Sequence, residues 1–301
     1  MRTLRISVYR FLLVLLAVTL ASMEGMGQSG SEPSDTLTPP GMQGGGRSSR
    51  TSGEPLFELT LHGGLTTYQF DDDRGEDPRL GLRFAQLLYH PSRNLYLWGQ
   101  YDDGLSLDNP GLADRGINAP AYYAGGFLTY ATHHTTRLEV GYRTLPDSVS
   151  QPLLRAEQVY TTSDGKALKL GGWLGFRSDD RLEWILHTGV NLPLRENLRI
   201  EPAFFYSRTG IPDEYQWRAF LGGEYTAGNR AQLSAGLALG QLFVGQIQEK
   251  RGIVDGFVGG TLPITSQLKA HAIARHEVVE NSVSITSFVL GLTINSGSLS
   301  L

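Results

Sequence analysis

The chain of 301 residues contains no cysteine. That excludes disulfides, thiolate metal sites, a thiol nucleophile and a lipidated N-terminal cysteine. Charge of one sign is also scarce: Lys+Arg 26 against Asp+Glu 30 leaves a formal net charge of -4, and the basic residues are dispersed. Nucleic acid is therefore not an expected partner. Beyond the N-terminal region no apolar run reaches the ~18 residues of a helical span, so a membrane role has to use strands closed into a barrel. The sequence lacks HExxH, GxSxG and a phosphate loop, so no catalytic, cofactor or metal residue is assigned and the chain is expected not to be an enzyme. His133 and His134 in one turn, and the acidic run Asp71, Asp72, Asp73, Glu76 and Asp77, read as solvated loop residues; the acidic run lacks the full spacing of a calcium loop.

Three segments differ in composition. Arg2, Arg5 and Arg10 precede the apolar run Phe11 to Ala21 and then small residues, the pattern of a secretory signal over 1–27. Residues 28–54 are rich in Gly, Ser, Pro and Thr, with few apolar side chains to bury; this is the signature of a disordered, here periplasmic, tail. Residues 55–301 carry Gly, aromatics and alternating hydrophobicity, the mark of a transmembrane β-barrel.

The alternation is plainest from Leu182 to Tyr206. Leu182, Trp184, Leu186, Thr188, Val190 and Leu192 share one parity, and Glu183, His187, Gly189 and Asn191 the other; only Ile185 breaks the polar row. After a turn at Pro193 to Asn197, Leu198, Ile200, Pro202, Phe204 and Tyr206 face Arg199, Glu201 and Ser207, with Phe205 on the polar side. Period two means strand, and about ten residues per arm suffice for a tilted strand to cross a bilayer. The same pattern gives about fourteen antiparallel up-and-down strands, with 12 or 16 as alternatives. Alternate connections are expected to be short turns near the periplasm and longer loops outside, such as 102–120 and 244–252, with both termini periplasmic. Tyr89, Tyr130, Tyr160 and Tyr225 would form one aromatic belt; Tyr68, Tyr101, Tyr206, Tyr215 and Phe243 would form the other. Strands near 95–101 and 121–131 are apolar on both parities, which leaves their register open.

Charged residues keep to one parity within each strand. A charge at the lipid midplane costs about 2–4 kcal/mol, so that parity faces the lumen. It places Arg79, Arg83, Arg137, Arg143, Arg155, Lys169, Arg177, Arg199, Arg218, Lys269 and Arg275 inside, against Glu58, Glu139, Glu157, Glu183, Glu201, Glu224 and Glu277, with His187 and His271 also inward. Leu80, Leu82, Phe84 and Leu88 would face lipid. Arg199 is expected nearly opposite Glu224, and Arg177 beside Glu183. The positive excess suggests a water-filled channel for small, mildly anionic solutes or glycan fragments. Two alternatives stand beside it: a non-conducting structural or partner-binding barrel, and a barrel enzyme with a His near a Ser or an acid at the outer lipid face. A soluble barrel with a polar cavity is the runner-up for the fold, but it would need the opposite polarity outside.

Four stretches, in order LHGGLTTYQFDDDRGED, NAPAYYAGGFLTY, LRAEQVY and KLGGWLGFR, lie within residues 61–292 and resemble the YaiO-type outer-membrane barrels. The resemblance implies outer-membrane residence near surface-glycan machinery and no established activity. Outer-membrane lipid and lipopolysaccharide and the barrel-assembly machinery are the expected partners of such a barrel. The chain departs from many barrels in ending SGSLSL, without a terminal aromatic.

Overall fold

Alternating side chains become a closed wall. The computed structural model describes residues 57–296, apart from 72–75, 93, 103–119, 132, 146–148, 209–212 and 229; the expected signal and tail, Asp72 and Asp73 of the acidic run and residues 297–301 lie outside the described residues. The fourteen strands are β1 Phe57–Phe70, β2 Glu76–Ser92, β3 Leu95–Asp102, β4 Ala121–Ala131, β5 His134–Thr144, β6 Ser150–Thr161, β7 Ala167–Phe176, β8 Leu182–Arg195, β9 Leu198–Arg208, β10 Glu214–Thr226, β11 Gln232–Val244, β12 Glu249–Pro263, β13 Leu268–Val279 and β14 Val283–Asn295. Each pairs with its neighbours in sequence, and β1 pairs antiparallel with β14, which closes the barrel. Closure satisfies every strand edge, the condition for putting a sheet into hydrocarbon.

The outer face is apolar. Leu80 is 83% exposed, Leu290 71% and Leu170 65%, while Arg143 and Arg218, on the opposite parity of their strands, are each 1% exposed. Polar inside and apolar outside is the polarity of a membrane barrel and the reverse of a soluble one. Leu290→Arg is expected to lower the unfolding free energy by about 2 kcal/mol or more, read by urea titration of the barrel refolded in phospholipid. A change below ~0.5 kcal/mol, the ordinary scale for a surface substitution, would show that this face does not meet lipid.

Aromatic rings ring the wall. At the end that carries the loop between β3 and β4, contacts run from Trp184 to Tyr206 (5.4 Å), Tyr206 to Tyr215 (6.1 Å) and Tyr215 to Phe243 (4.9 Å). At the end that carries the start of β1, Phe57 stacks on Tyr89 at 4.8 Å. Tyr68 does not join the belt. It points inward at 7% exposure and packs with Leu242, Ile253, Val279 and Val283 in an apolar cluster near the loop end.

Two further expectations from the sequence need correction. The first concerns β2. Pairing with β1 shifts between His62 and Gly63, so that His62 sits opposite Phe84 and Gly63 opposite Leu82. Arg83 is the extra residue of a β-bulge, and beyond it every side chain changes face. Phe84 and Leu88, expected toward lipid, are therefore buried inside at 2% and 3% exposure. The second concerns the loops. β11 continues to Val244 and β12 begins at Glu249, which pair with each other; a tight turn with Gln248 at φ 51° replaces the expected loop over 244–252. Turns are short at both ends, with the break between Asp102 and Ala121 as the exception. The strands reach further than expected because the polar residues near their ends still pair across the ladder.

The two strands of open register resolve through aromatic packing. Tyr96 and Trp98 of β3 and Phe127 of β4 point inward and cluster with Leu88. Both parities are apolar because one faces lipid and the other an aromatic core.

Candidate interior ion-pair lattice

Glu139 on β5 is the hub of the first group. Its Oε1 accepts from Arg137 Nη2 at 2.8 Å and from Trp98 Nε1 at 2.8 Å, and its Oε2 lies 3.4 Å from Arg155 Nη1. Arg137 and Glu139 are two apart on one strand and so share a face; Arg155 is directly opposite Glu139 on β6. The Arg137 guanidinium also lies 5.5 Å from the rings of Trp98 and Phe127, so π faces flank the cation that the carboxylate holds.

Neighbouring strands continue the pattern. Arg143 bonds Gln151 and Glu183 and stands over Trp173 at 5.2 Å. Glu183 also meets Arg177 at 3.3 Å, the neighbour pair expected from the sequence. His187 Nε2 is 2.7 Å from Glu157 Oε2, and Lys169 donates to both oxygens of Glu201 at 2.7 Å. Arg199 is in register with Glu224, as expected. Arg177 itself lies just past β7 and donates to Asp179, which holds that loop carboxyl below the usual carboxylate range.

The second large group joins β10, β12 and β13. Arg218 donates to Glu277 at 2.8 Å and lies 3.5 Å from Asp255. Arg275 forms a two-point pair with Asp255 at 2.9 and 2.8 Å and reaches Glu277 at 2.9 Å. Below these charges Phe205, Phe220, Phe257 and Ala238 form an inward apolar cluster. Arg83 and Arg79 lie on β2. Arg83 bonds the carbonyls of Gly64 and Arg79, and the Arg79 guanidinium covers the Tyr68 ring at 4.8 Å.

Sequence reasoning missed three interior acids. Asp102, Glu214 and Asp255 are buried at 5%, 3% and 1% exposure, and they offset much of the positive excess that parity implied. Asp102 and Glu214 fell at strand ends and read as loop residues. Asp255 shares its parity with Ile253 and Phe257, both of which turned out to face inward; the even spacing of all three was the available signal. Amides were missed as well: Gln86, Gln100, Gln151 and Gln216 are buried inside, and Gln86 donates to Gln100 at 3.1 Å.

His276 faces outward, as does His134, which lies between the exposed Tyr130 and Tyr160 rings. His276 lies between the inward Arg275 and Glu277 on β13, and its Nδ1 is 2.9 Å from Thr286 Oγ1 on β14. Thr286 is its hydrogen-bond partner among the described residues, and no carboxylate orients the ring as a general base would require.

No family model matches this sequence, and no curated relative does. Solved structures match by shape. The CymD monoaromatic hydrocarbon channel superposes with a TM-score of 0.59 at 8% identity, over 80% of this chain and 89% of that one. A Pseudomonas aeruginosa FadL homologue gives 0.56 at 9% identity, over 81% and 90%. The fold is that of a bacterial outer-membrane β-barrel. The P. putida toluene transporter TodX shares it too, with a TM-score of 0.51 at 11% identity over 82% and 91% of the two chains. At such identity these likenesses establish the architecture, not the solute.

Proposed function

We propose that this outer-membrane barrel is a narrow channel for small polar solutes, glycan fragments among them, whose passage is lined by paired charges. The observation that carries the reading is a set of inward donors with no protein partner: Arg137 Nε, Gln151 Nε2, Gln216 Nε2 and Arg218 Nε. These atoms are closed to water in the structure, and left unserved each would cost about 1–3 kcal/mol, so the reading requires the packed wall to open and admit water or solute to them. Water that serves these groups makes a polar path along the wall, and a solute that replaces it must offer hydrogen-bond acceptors. Because Asp102, Glu214 and Asp255 face the arginines, the preference for anions is mild.

Two neighbours in shape are described as a monoaromatic hydrocarbon channel and a toluene transporter, which supports transport as a class. The ion-paired interior argues for polar cargo here. The YaiO-type likeness over 61–292 supports a setting near surface-glycan machinery, with both termini toward the periplasm and with lipopolysaccharide and the barrel-assembly machinery as partners. The chain is not an enzyme on this reading, since the outward His276 meets Thr286 and no acid among the described residues, and the His187–Glu157 pair faces the interior and not the outer lipid face.

Liposome swelling tests the proposal. Vesicles carrying the purified barrel are expected to swell in glycerol and monosaccharides, more slowly in larger sugars, and at similar rates in neutral and weakly anionic solutes of one size. Swelling no faster than in protein-free vesicles would remove the channel reading and leave the structural one.

A further inference from the structure

Near the end of the barrel that carries the start of β1, the lattice gives way to a cavity of about 60 Å³. At about 10–15 Å³ for each water-sized group, it has room for a few hydroxyls. Its floor is one row across the sheet. His62 on β1 and His271 on β13 both sit opposite Gly291 of β14, and their rings lie 5.2 Å apart over that glycine. A side chain at position 291 would collide with the His62 ring, so the absence of a Cβ there creates the gap.

The two imidazoles differ in one respect. His271 is fully engaged: its Nδ1 meets Thr261 at 3.0 Å and its Nε2 meets Thr293 at 2.7 Å. His62 is 2% exposed, lines the cavity, and has no hydrogen-bond partner at either ring nitrogen. An imidazole brings both donor and acceptor capacity, and burying both unmatched is unfavourable. Phe84 adds an apolar surface with its ring centroid 5.4 Å from that of His62.

We infer that this cavity is a binding subsite for adjacent hydroxyls of a single sugar ring or small polyol. An alcohol both donates and accepts, as His62 requires and as Gln86 on the same wall can reciprocate. An aromatic surface such as Phe84 suits the C–H face of a sugar. Charge is balanced across the site, with Glu58 and Lys269 both lining it, so a neutral ligand leaves neither sign unmatched. A multiply charged anion would set itself against Glu58. This deepens the proposed channel reading, for which the site would be a selective step near one mouth, but its test does not depend on conduction.

The test is saturation-transfer NMR and calorimetry on the full chain folded in detergent, with glycerol, glucose and galactose as neutral probes and with glutamate and phosphate as charged ones. Saturable binding of the neutral probes is expected, weakened about tenfold or more by His62→Ala. His62→Phe fills the space and should abolish it, whereas His62→Gln keeps a donor and an acceptor and should retain most of it. Heat-modifiable migration confirms that each variant is folded. If His62→Phe does not fold, Gly291→Ala replaces it, because the added methyl acts on the same ring. Absence of saturable binding, binding indifferent to His62 in folded variants, or preference for glutamate or phosphate would overturn the inference. Binding without liposome swelling would leave the subsite standing and remove the channel; swelling without binding would do the reverse.

Discussion

Replacing Glu139 by alanine is expected to lower the unfolding free energy of the barrel by about 3–5 kcal/mol, the loss typical when one partner of a buried ion pair is removed. The reason lies in how many groups depend on this carboxylate. Arg137, Arg155 and the Trp98 indole N–H all turn to it, and the Glu139 side chain is 1% exposed. Without it Arg137 and Arg155 share the remaining acids, Asp102 and Glu157, the latter opposite Arg137, and the group is left with one carboxylate fewer and little solvent to screen the difference. Arg137 keeps the Trp98 and Phe127 rings, but their attraction of about 1–2 kcal/mol does not replace a buried carboxylate. Urea titration in phospholipid, followed by tryptophan fluorescence, reads both the midpoint and the surroundings of Trp98. Glu139→Gln keeps an acceptor for Trp98 and should lose less than the alanine variant. A loss under about 1 kcal/mol for alanine, the scale of an exposed pair, would mean that this group is bathed in solvent and carries no structural weight.

Arg218→Ala is the second large effect, expected near the lower end of the same range, about 3 kcal/mol. Asp255 and Glu277 lose one cation but keep Arg275, which contacts both. The remaining group has two acids and one arginine, so the interior gains a negative charge at this level. Arg218→Met combined with Glu277→Leu removes one charge of each sign. That double variant should recover most of the stability, because well-packed apolar replacements for buried ion pairs are often neutral. A double variant as unstable as the single one would show that the Arg218 side chain acts through packing against the Phe220 layer and not through its charge.

Much of this architecture was legible because lipid penalises charge. The parity of Arg137, Glu139 and Arg143, or of Lys269, Arg275 and Glu277, records which face is allowed to be polar, and period two then fixes the strand. The cross-strand pairs Arg199 with Glu224 and Arg177 with Glu183 followed from hairpin geometry alone. Parity fails where register slips. Arg83 and Phe84 are adjacent and both buried because a bulge inserts a residue, and a pattern argument that assumes an unbroken alternation turns Phe84 and Leu88 the wrong way. It also fails where the interior is not polar. Tyr96, Trp98 and Phe127 fill one side of the barrel with rings, so β3 and β4 lose the contrast between faces.

The lattice was half visible. Its cations were found because arginine has no other reason to alternate in a membrane strand, whereas Asp102 and Glu214 were hidden by ordinary loop composition at strand ends. That bias made the lumen read as more positive than it is. His62 was invisible as a site: a lone histidine on a polar face carries no signal until the pairing with β14 sets it against Gly291 and beside His271.

The central claim is that a hydrated, charge-paired path runs through this barrel, and single-channel recording in planar bilayers tests it most directly. Wild-type protein is expected to give a small, steady conductance with weak ion preference, since its interior charges nearly balance. Arg218→Ala should shift that preference toward cations, because Asp255 and Glu277 then share one arginine. Folded, inserted protein that passes no current, or a current whose ion preference ignores Arg218, would contradict the account.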